Sequence, residues 1–475
     1  MIYCKLNKSN FEYDIYSLVK AFYPKEQVII APGEYEGNEE ISFSFSVEYF
    51  EDKLLLNGAE VPIDYSNRPD TKNRLKLAVY NYLQKRTGTD LPWGTLTGIR
   101  PTKISLKMIM DGATDQEIRD YMKSTYLTSD EKTELCLQVS HHEHEILKKI
   151  DYDNGYSLYI GIPFCPSTCL YCSFTSYPYA AYRKWVDDYL KCLEKEMEYT
   201  SKAFSKKTLD TIYIGGGTPT SLDEEHLAVL LDTIDRYFDT KNLKEYTIEA
   251  GRPDSITREK LGIIKSHPIT RISVNPQTMN DKTLKLIGRH HTVDDIVKVM
   301  AWAREYDFQN INMDLILGLP GETIEDVQYT LQEVSKLKPD SLTIHSLALK
   351  HSSKLNIDKE AYDDYLIENS QAHMDAAEKA AKNLGLEAYY LYRQKNIAAN
   401  LENIGYSALG KEGIYNILIM EEIQDIVALG AGTSCKKILP DKSTARCENV
   451  KDVQLYIERI DEMIDRKRQL FGVDN

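Results

Sequence analysis

From residue 155 onward, short apolar runs of strand length alternate with longer amphipathic stretches, and this alternation restricts the fold more than any other feature of the chain. Strand-like runs fall at 157–161, 211–214, 245–250, 271–275, 312–317 and 341–345, with helical patterns between them. One helix is predicted to begin at Thr323, where Thr323-x-x-Asp326 has the form of a capping box and Val327, Leu331, Val334 and Leu337 make an apolar stripe. Parallel strands need crossover connections, so a repeated strand–helix alternation builds a parallel α/β sheet. Six units fall short of the eight in a complete barrel, and the expected fold is α/β, an incomplete (β/α)6 TIM-like barrel over 155–350. Its site belongs at the C-terminal ends of the strands.

At 475 residues the chain has room for two or three domains. A small α+β N-terminal domain over 1–90 follows from strand-like runs at 27–30, 41–47 and 53–56 and a helical pattern at 74–84. A linker and helical segment spans 91–154 and opens on a Gly/Pro-punctuated loop carrying Trp93 and Arg100, read as packed linker. The remainder, 351–475, is expected to form a C-terminal α/β lobe covering the barrel mouth. It has a long helix from about residue 360 to 384, strand-like runs at 387–391, 416–420 and 426–429, and a last helix with Val453, Ile457, Ile460 and Ile464 on one face. A net charge of -15 and a pI near 5.3 argue against a general nucleic-acid partner. No apolar run reaches roughly eighteen residues and the first residues lack signal-peptide character, so a cytoplasmic protein without membrane insertion is expected. The sequence leaves the oligomeric state open.

Just after the first of the six strands stands Ile162-Pro163-Phe164-Cys165-Pro166-Ser167-Thr168-Cys169-Leu170-Tyr171-Cys172. Three thiolates in one short loop suit three corners of an iron–sulfur cube and leave the fourth iron open. Structural zinc would need a fourth ligand at paired short spacings, and a disulfide would leave one thiol over. Of the other cysteines, Cys192 shares a helical face with Trp185, Tyr189 and Leu193 and reads as a buried apolar thiol, whereas Cys4, Cys136, Cys435 and Cys447 suggest no chemistry. His141-His142-Glu143-His144 lacks the H-E-x-x-H spacing of a zincin and reads as a solvated helix surface.

Directly after the second strand comes Gly215-Gly216-Gly217-Thr218-Pro219-Thr220. It has neither P-loop nor dinucleotide-fold order, but it allows close approach of backbone to a ligand. The C-x3-C-x2-C loop and the G-G-G-T-P run, placed after successive strands of a βα chain, together resemble the radical S-adenosylmethionine (SAM) superfamily. That resemblance implies that Cys165, Cys169 and Cys172 hold a [4Fe-4S] cluster whose unique iron takes SAM. It further implies that Gly215, Gly216, Gly217 and Thr218 receive the SAM amino group, that Tyr171 lies near the adenine, and that one electron cleaves SAM to a hydrogen-abstracting radical.

Further runs, among them 159–165, Ile248-Glu249-Ala250, Arg271-Ile272-Ser273, 276–281, Gly288-Arg289-x-His291-Thr292 and 313–322, resemble the oxygen-independent coproporphyrinogen III oxidase family. The N-terminal region, the Trp93 loop and 389–396 look most like its HemZ-type branch, also called coproporphyrinogen dehydrogenase. The resemblance implies SAM contacts from Tyr159, Glu249, Gln277, Arg289 and Asp314, one SAM or two, a tetrapyrrole substrate, and an electron donor such as flavodoxin or ferredoxin. The implied reaction is oxidative decarboxylation of two propionates of coproporphyrinogen III to vinyl groups, giving protoporphyrinogen IX. Arg393, Lys395 and Arg100 are candidate propionate partners, though each alone reads more simply as solvated or salt-bridged. Departures lie close to the cysteines: Gly161 stands where many relatives have His, Phe174 where an extra Cys occurs, and Asn275-Pro276 where a Gly-Val type step is usual. A haem-binding chaperone of the HemW type is the alternative, although Ala399-Asn400-Leu401-Glu402 lacks the His of its C-terminal segment. A radical SAM methyltransferase or haem-degrading enzyme of the same architecture also remains open.

Overall fold

A computed structural model describes residues 1–348, 354–357, 367–394 and 401–472. Two units make up the chain, one of residues 1–141 with 392–402, the other of 142–391 with 403–475.

In the first unit, β1 (Ile2–Leu6), β2 (Val28–Pro32), β3 (Phe43–Tyr49), β4 (Leu54–Leu56) and β5 (Ala59–Val61) form a sheet in the order β2-β1-β3-β4-β5. β1 runs parallel to both β2 and β3, and the β4–β5 hairpin closes through Asn57 and Gly58, both at positive φ as a tight two-residue hairpin requires. Helices Glu12–Phe22 and Arg68–Thr87 bury Ile15, Leu18, Val79 and Leu83 in one core with Ile2, Cys4 and Leu6. The indole of Trp93 is fully buried and donates from Nε1 to Glu402 Oε2 at 2.7 Å, which makes the loop a packed one.

The second unit carries an eleven-stranded sheet. Its centre is the six expected strands, β6 (Gly155–Ile162), β9 (Thr208–Gly216), β10 (Glu245–Glu249), β11 (Arg271–Ser273), β12 (Ile311–Leu317) and β13 (Ser341–Ser346), side by side and parallel. A two-residue ladder, β7 (Phe164–Cys165) with β8 (Tyr177–Pro178), brackets the cysteine loop. Late strands extend both edges: β14 (Glu387–Arg393) and β15 (Glu402–Ser407) beyond β13, and β16 (Asp425–Leu429), β17 (Ser434–Ile438) and β18 (Thr444–Glu448) beyond β6.

Strand alternation sorts the chemistry. Leu158, Ile160, Ile212, Ile214, Ile248 and Ile272 are fully buried, while the intervening positions are largely polar. Hydrogen bonds link these polar positions across strands, from Thr211 to Ser157 at 2.8 Å, Asn312 to Ser273 at 3.0 Å and Arg271 to Ser341 at 3.2 Å. One face of the sheet is thus apolar and the other a hydrogen-bonded polar lining.

The helix expected at Thr323 forms as Ile324–Leu337, with the capping box in place. Three expected elements take a different form. Residues 416–420 are not a strand but lie within helix Ile414–Glu421, whose buried Ile417 and Leu418 pack as a helical pair. The last helix is split at Arg459 into Val453–Glu458 and Ile460–Phe471, which turns Tyr456, Met463 and Lys467 inward and leaves Ile457 and Ile464 half-buried. The long helix expected from about 360 to 384 is shorter: it starts at Gln371 and runs to Asn383, because Ser370 before it is extended and 367–370 are not helical, while 360–366 lie outside the described residues.

Candidate active site

Beyond β6 the chain cannot continue as an interior strand, because Pro163 and Pro166 lack backbone donors, and it turns into the cysteine loop. The loop is tied down at several points: Tyr177 N donates to Pro163 O at 2.8 Å, Leu170 N to Ile287 O at 3.0 Å, and Ser167 Oγ to Gly288 O at 3.1 Å. Cys172 N donates to Cys169 O at 3.2 Å, which makes the second spacing a tight turn. All three cysteines are free thiols, with Cys165 and Cys169 buried and Cys172 partly exposed. Cys165 Sγ is in hydrogen-bond contact with Thr218 Oγ1 at 3.5 Å, and Cys169 Sγ accepts from Arg252 Nη1 at 3.6 Å. Arg252 is itself fixed by Asp254 at 2.6 Å and by Ser167 O at 2.8 Å. Burial pushes the Cys165 thiol up to about 11, an effect eased by Thr218 and reinforced by Cys172 and Cys169 nearby. Among the described residues, no three His, Cys, Asp or Glu side chains gather tightly enough to hold a single metal ion. Three neighbouring thiols suit a cluster, in which each thiolate takes its own iron.

The glycine run is pressed against this loop. Gly217 N donates to Ile162 O at 2.8 Å and Thr218 N to Phe164 O at 2.7 Å, so the second strand end is stitched to the cysteine strand. A Cβ on Gly217 would lie 2.5 Å from Phe164 O, a backbone atom that cannot give way, and Gly216 sits at a φ of +109. Glycine is therefore required here for close packing.

After the helix Asp281–Leu286, Arg289 donates to Tyr171 Oη at 3.1 Å and to Asn275 O at 2.5 Å, while its buried Nε has no partner. Gln277 adopts a φ of +70, strained for a side chain of its kind. Its backbone bridges to Asp314 O and Ile316 N at 3.0 Å each, and its buried Oε1 has no partner. Burial would raise Asp314, but His345, Asn312 and Thr343 hold it below the usual carboxylate range. Glu249 accepts from Tyr213 Oη at 2.6 Å, and burial pushes its carboxyl up to about 7. Tyr159 stacks with Tyr213 and with Tyr415, centroids 6.1 Å apart in each pair, so a residue of helix Ile414–Glu421 completes the aromatic wall.

Tyr159, Glu249, Gln277, Arg289 and Asp314 all lie in the second unit: Glu249 ends β10, Tyr159 and Asp314 sit within β6 and β12, Gln277 follows β11 by four residues, and Arg289 follows the helix Asp281–Leu286. Sequence reasoning missed Arg252, Tyr213, His345 and Tyr415. Arg252 stands three residues after Glu249, just past a strand end, where an arginine carries no signal of its own in the sequence. Arg393, by contrast, lies in the first unit, buried over the Trp93 ring at 5.5 Å and donating to Leu96 O at 2.5 Å. Lys395 is outside the described residues. His141 pairs with Asp115 at 2.8 Å and His142 with Glu412 at 2.8 Å.

The radical SAM superfamily profile matches residues 159–334. Over 403 residues the chain is 41% identical to the oxygen-independent coproporphyrinogen-III oxidase-like protein HemZ of Bacillus subtilis (strain 168), covering 83% of this chain and 80% of that protein. It is 35% identical over 259 residues to the heme chaperone HemW of the same organism, covering 54% of this chain and 64% of that protein. The solved coproporphyrinogen III oxidase (HemN) of Escherichia coli shares the fold, with a TM-score of 0.53 at 22% identity over 66% of this chain and 70% of that one. Radical SAM proteins carry a [4Fe-4S] cluster and SAM, and the three soft thiols and the orphaned Gln277 and Arg289 atoms are chemically fit to receive them. The chain belongs to the radical SAM superfamily, within the family of HemZ-type proteins related to oxygen-independent coproporphyrinogen III oxidase.

Proposed function

We propose that this protein decarboxylates two propionate side chains of coproporphyrinogen III oxidatively, without oxygen, to give protoporphyrinogen IX. The observation that carries the reading is the identity to a coproporphyrinogen oxidase-like protein over four fifths of its length, coinciding with a three-thiol loop after β6 and a polar lining on one face of the same sheet. Cys165, Cys169 and Cys172 would hold the cluster. Bound there, cluster and SAM supply a one-electron cleavage that yields a hydrogen-abstracting radical.

The chain's own residues do the positioning. Gly215, Gly216, Gly217 and Thr218 bring backbone beside the cysteine loop to meet the amino group of SAM. Arg289 presents a guanidinium for the carboxylate, and its contact to Tyr171 fixes that ring for the adenine. Gln277 offers an amide oxygen with no competing partner, while Asp314 and Glu249 accept from ribose hydroxyls. Tyr159, within β6, is held in its aromatic stack with Tyr213 and Tyr415. A protonated Glu249 could donate as well as accept, since its carboxyl titrates near neutrality. A reducing cytosolic compartment with a flavodoxin- or ferredoxin-type donor suits an acidic chain with eight cysteines. Among the described residues no helix is long and apolar enough to cross a membrane.

The second reading, haem binding without decarboxylation, is favoured by the similarity to the HemW chaperone. An anaerobic incubation of the reconstituted protein with SAM, reductant and coproporphyrinogen III, followed by mass spectrometry, separates the two. Loss of two carboxyl groups from the tetrapyrrole is expected. Intact substrate, with tight haem binding and SAM cleavage uncoupled from it, would sink the decarboxylase reading.

A further inference from the structure

On the far edge of the second unit's sheet, β17 and β18 pair antiparallel with Cys435 directly opposite Cys447. The ladder fixes what kind of pair this is. Leu439 N donates to Ser443 O and Asn449 N to Thr433 O, both at 2.9 Å, and hydrogen-bonded pairs recur every second residue. Cys435 and Cys447 therefore occupy a hydrogen-bonded position between them, where Cα atoms stand about 5.5 Å apart. That spacing lies inside the roughly 4.4–6.8 Å span of disulfides, and the two side chains share one face of the sheet. Both are free thiols, Cys435 buried and Cys447 partly exposed.

We propose that Cys435 and Cys447 form a redox-active dithiol that closes to an intrachain disulfide by exchange with low-molecular-weight disulfides. The exposed Cys447 sulfur attacks one sulfur of R–S–S–R, a mixed disulfide forms, and R–S⁻ leaves carrying off one proton equivalent. Cys435 then attacks Cys447 Sγ, the intrachain S–S bond forms, and the second R–S⁻ departs with the second proton. The two cysteines lose two hydrogens in all, and the external disulfide is reduced to two thiols.

The surroundings suit the second step. Cys435 Sγ accepts from Ala428 N at 3.2 Å, and the Lys467 ammonium is an electrostatic neighbour. Once Cys447 is held in the mixed disulfide it has no S–H to give, and the influences left on the Cys435 sulfur are burial, which raises it, and the Lys467 ammonium and the Ala428 N–H, which favour its thiolate. The bond would staple the hairpin next to Asn449, whose side chain donates to Glu196 and to Gly430 O at 2.9 Å each.

The test is to incubate the full chain anaerobically with glutathione disulfide, quench in acid, alkylate the remaining thiols and map unreduced peptides by mass spectrometry. The expected result is a linked peptide pair joining Cys435 to Cys447, two hydrogens lighter than the two free-thiol peptides together. In Cys435→Ser the adduct should stop at a stable glutathione on Cys447. Recovery of both wild-type cysteines fully alkylated, or a stable glutathione adduct on wild-type Cys447, would overturn the proposal.

Discussion

Arg252 shows how much one side chain can contribute to this site. It is almost fully buried and gripped by Asp254, and one of its N–H groups reaches Cys169 Sγ at 3.6 Å. A donor and a positive charge beside a cluster ligand favour the reduced, more negative cluster, since hydrogen bonds to the sulfurs help set its potential. Arg252→Met should therefore lower the midpoint potential by several tens of millivolts, about 59 mV for each tenfold loss in the one-electron equilibrium. A redox titration followed by electron paramagnetic resonance reads this directly, and an unchanged potential would show that the contact is only structural. The cysteine triplet was legible in the sequence because its spacing is rare and its chemistry narrow. Arg252 was not, because a lone arginine after a strand looks like any surface cation until the fold folds it back onto the loop.

At the scale of elements, the edge of the sheet next to β6 depends on one buried ion pair. Lys467 of helix Ile460–Phe471 donates to Glu196 Oε1 at 2.5 Å, and both side chains are essentially inaccessible to water. Glu196 also accepts from Tyr456 at 2.5 Å and from Gly430 N at 2.7 Å, and so joins two helices to the turn after β16. Lys467→Met strands a buried carboxylate and should destabilise the second unit by about 3–5 kcal/mol, whereas adding Glu196→Gln should recover much of that loss. Urea unfolding of the two variants checks both numbers; equal midpoints would mean the charge is not what matters. The six central strands could be read from sequence because each is a dense apolar run between turn signals. The run at 416–420 was misread as a strand because a short Ile/Leu/Met stretch fits either a buried strand or a buried helix, and only packing decides. β15 was missed for the opposite reason: Gly405 weakens its pattern, yet a Cβ there would lie 1.9 Å from the Tyr390 ring.

Across the whole molecule, six parallel strands lie side by side in one sheet of the second unit, so their C-terminal ends share one edge of it. The expected incomplete TIM-like barrel agrees with the fold shared with HemN, whereas the way residues beyond 402 add strands to both edges of that sheet could not be read locally, because edge pairing is a long-range property. The candidate propionate cations were the least legible part, since Arg393 proved to be committed to Trp93 and Leu96. The central claim is that Cys165, Cys169 and Cys172 hold a cluster with an iron open to SAM. Electron paramagnetic resonance of the reduced, reconstituted protein with and without SAM, run beside Cys169→Ala, tests it most directly. A [4Fe-4S] signal that changes when SAM is added, and that disappears in Cys169→Ala, is the predicted result; a signal indifferent to SAM, or a full cluster in the variant, would contradict it.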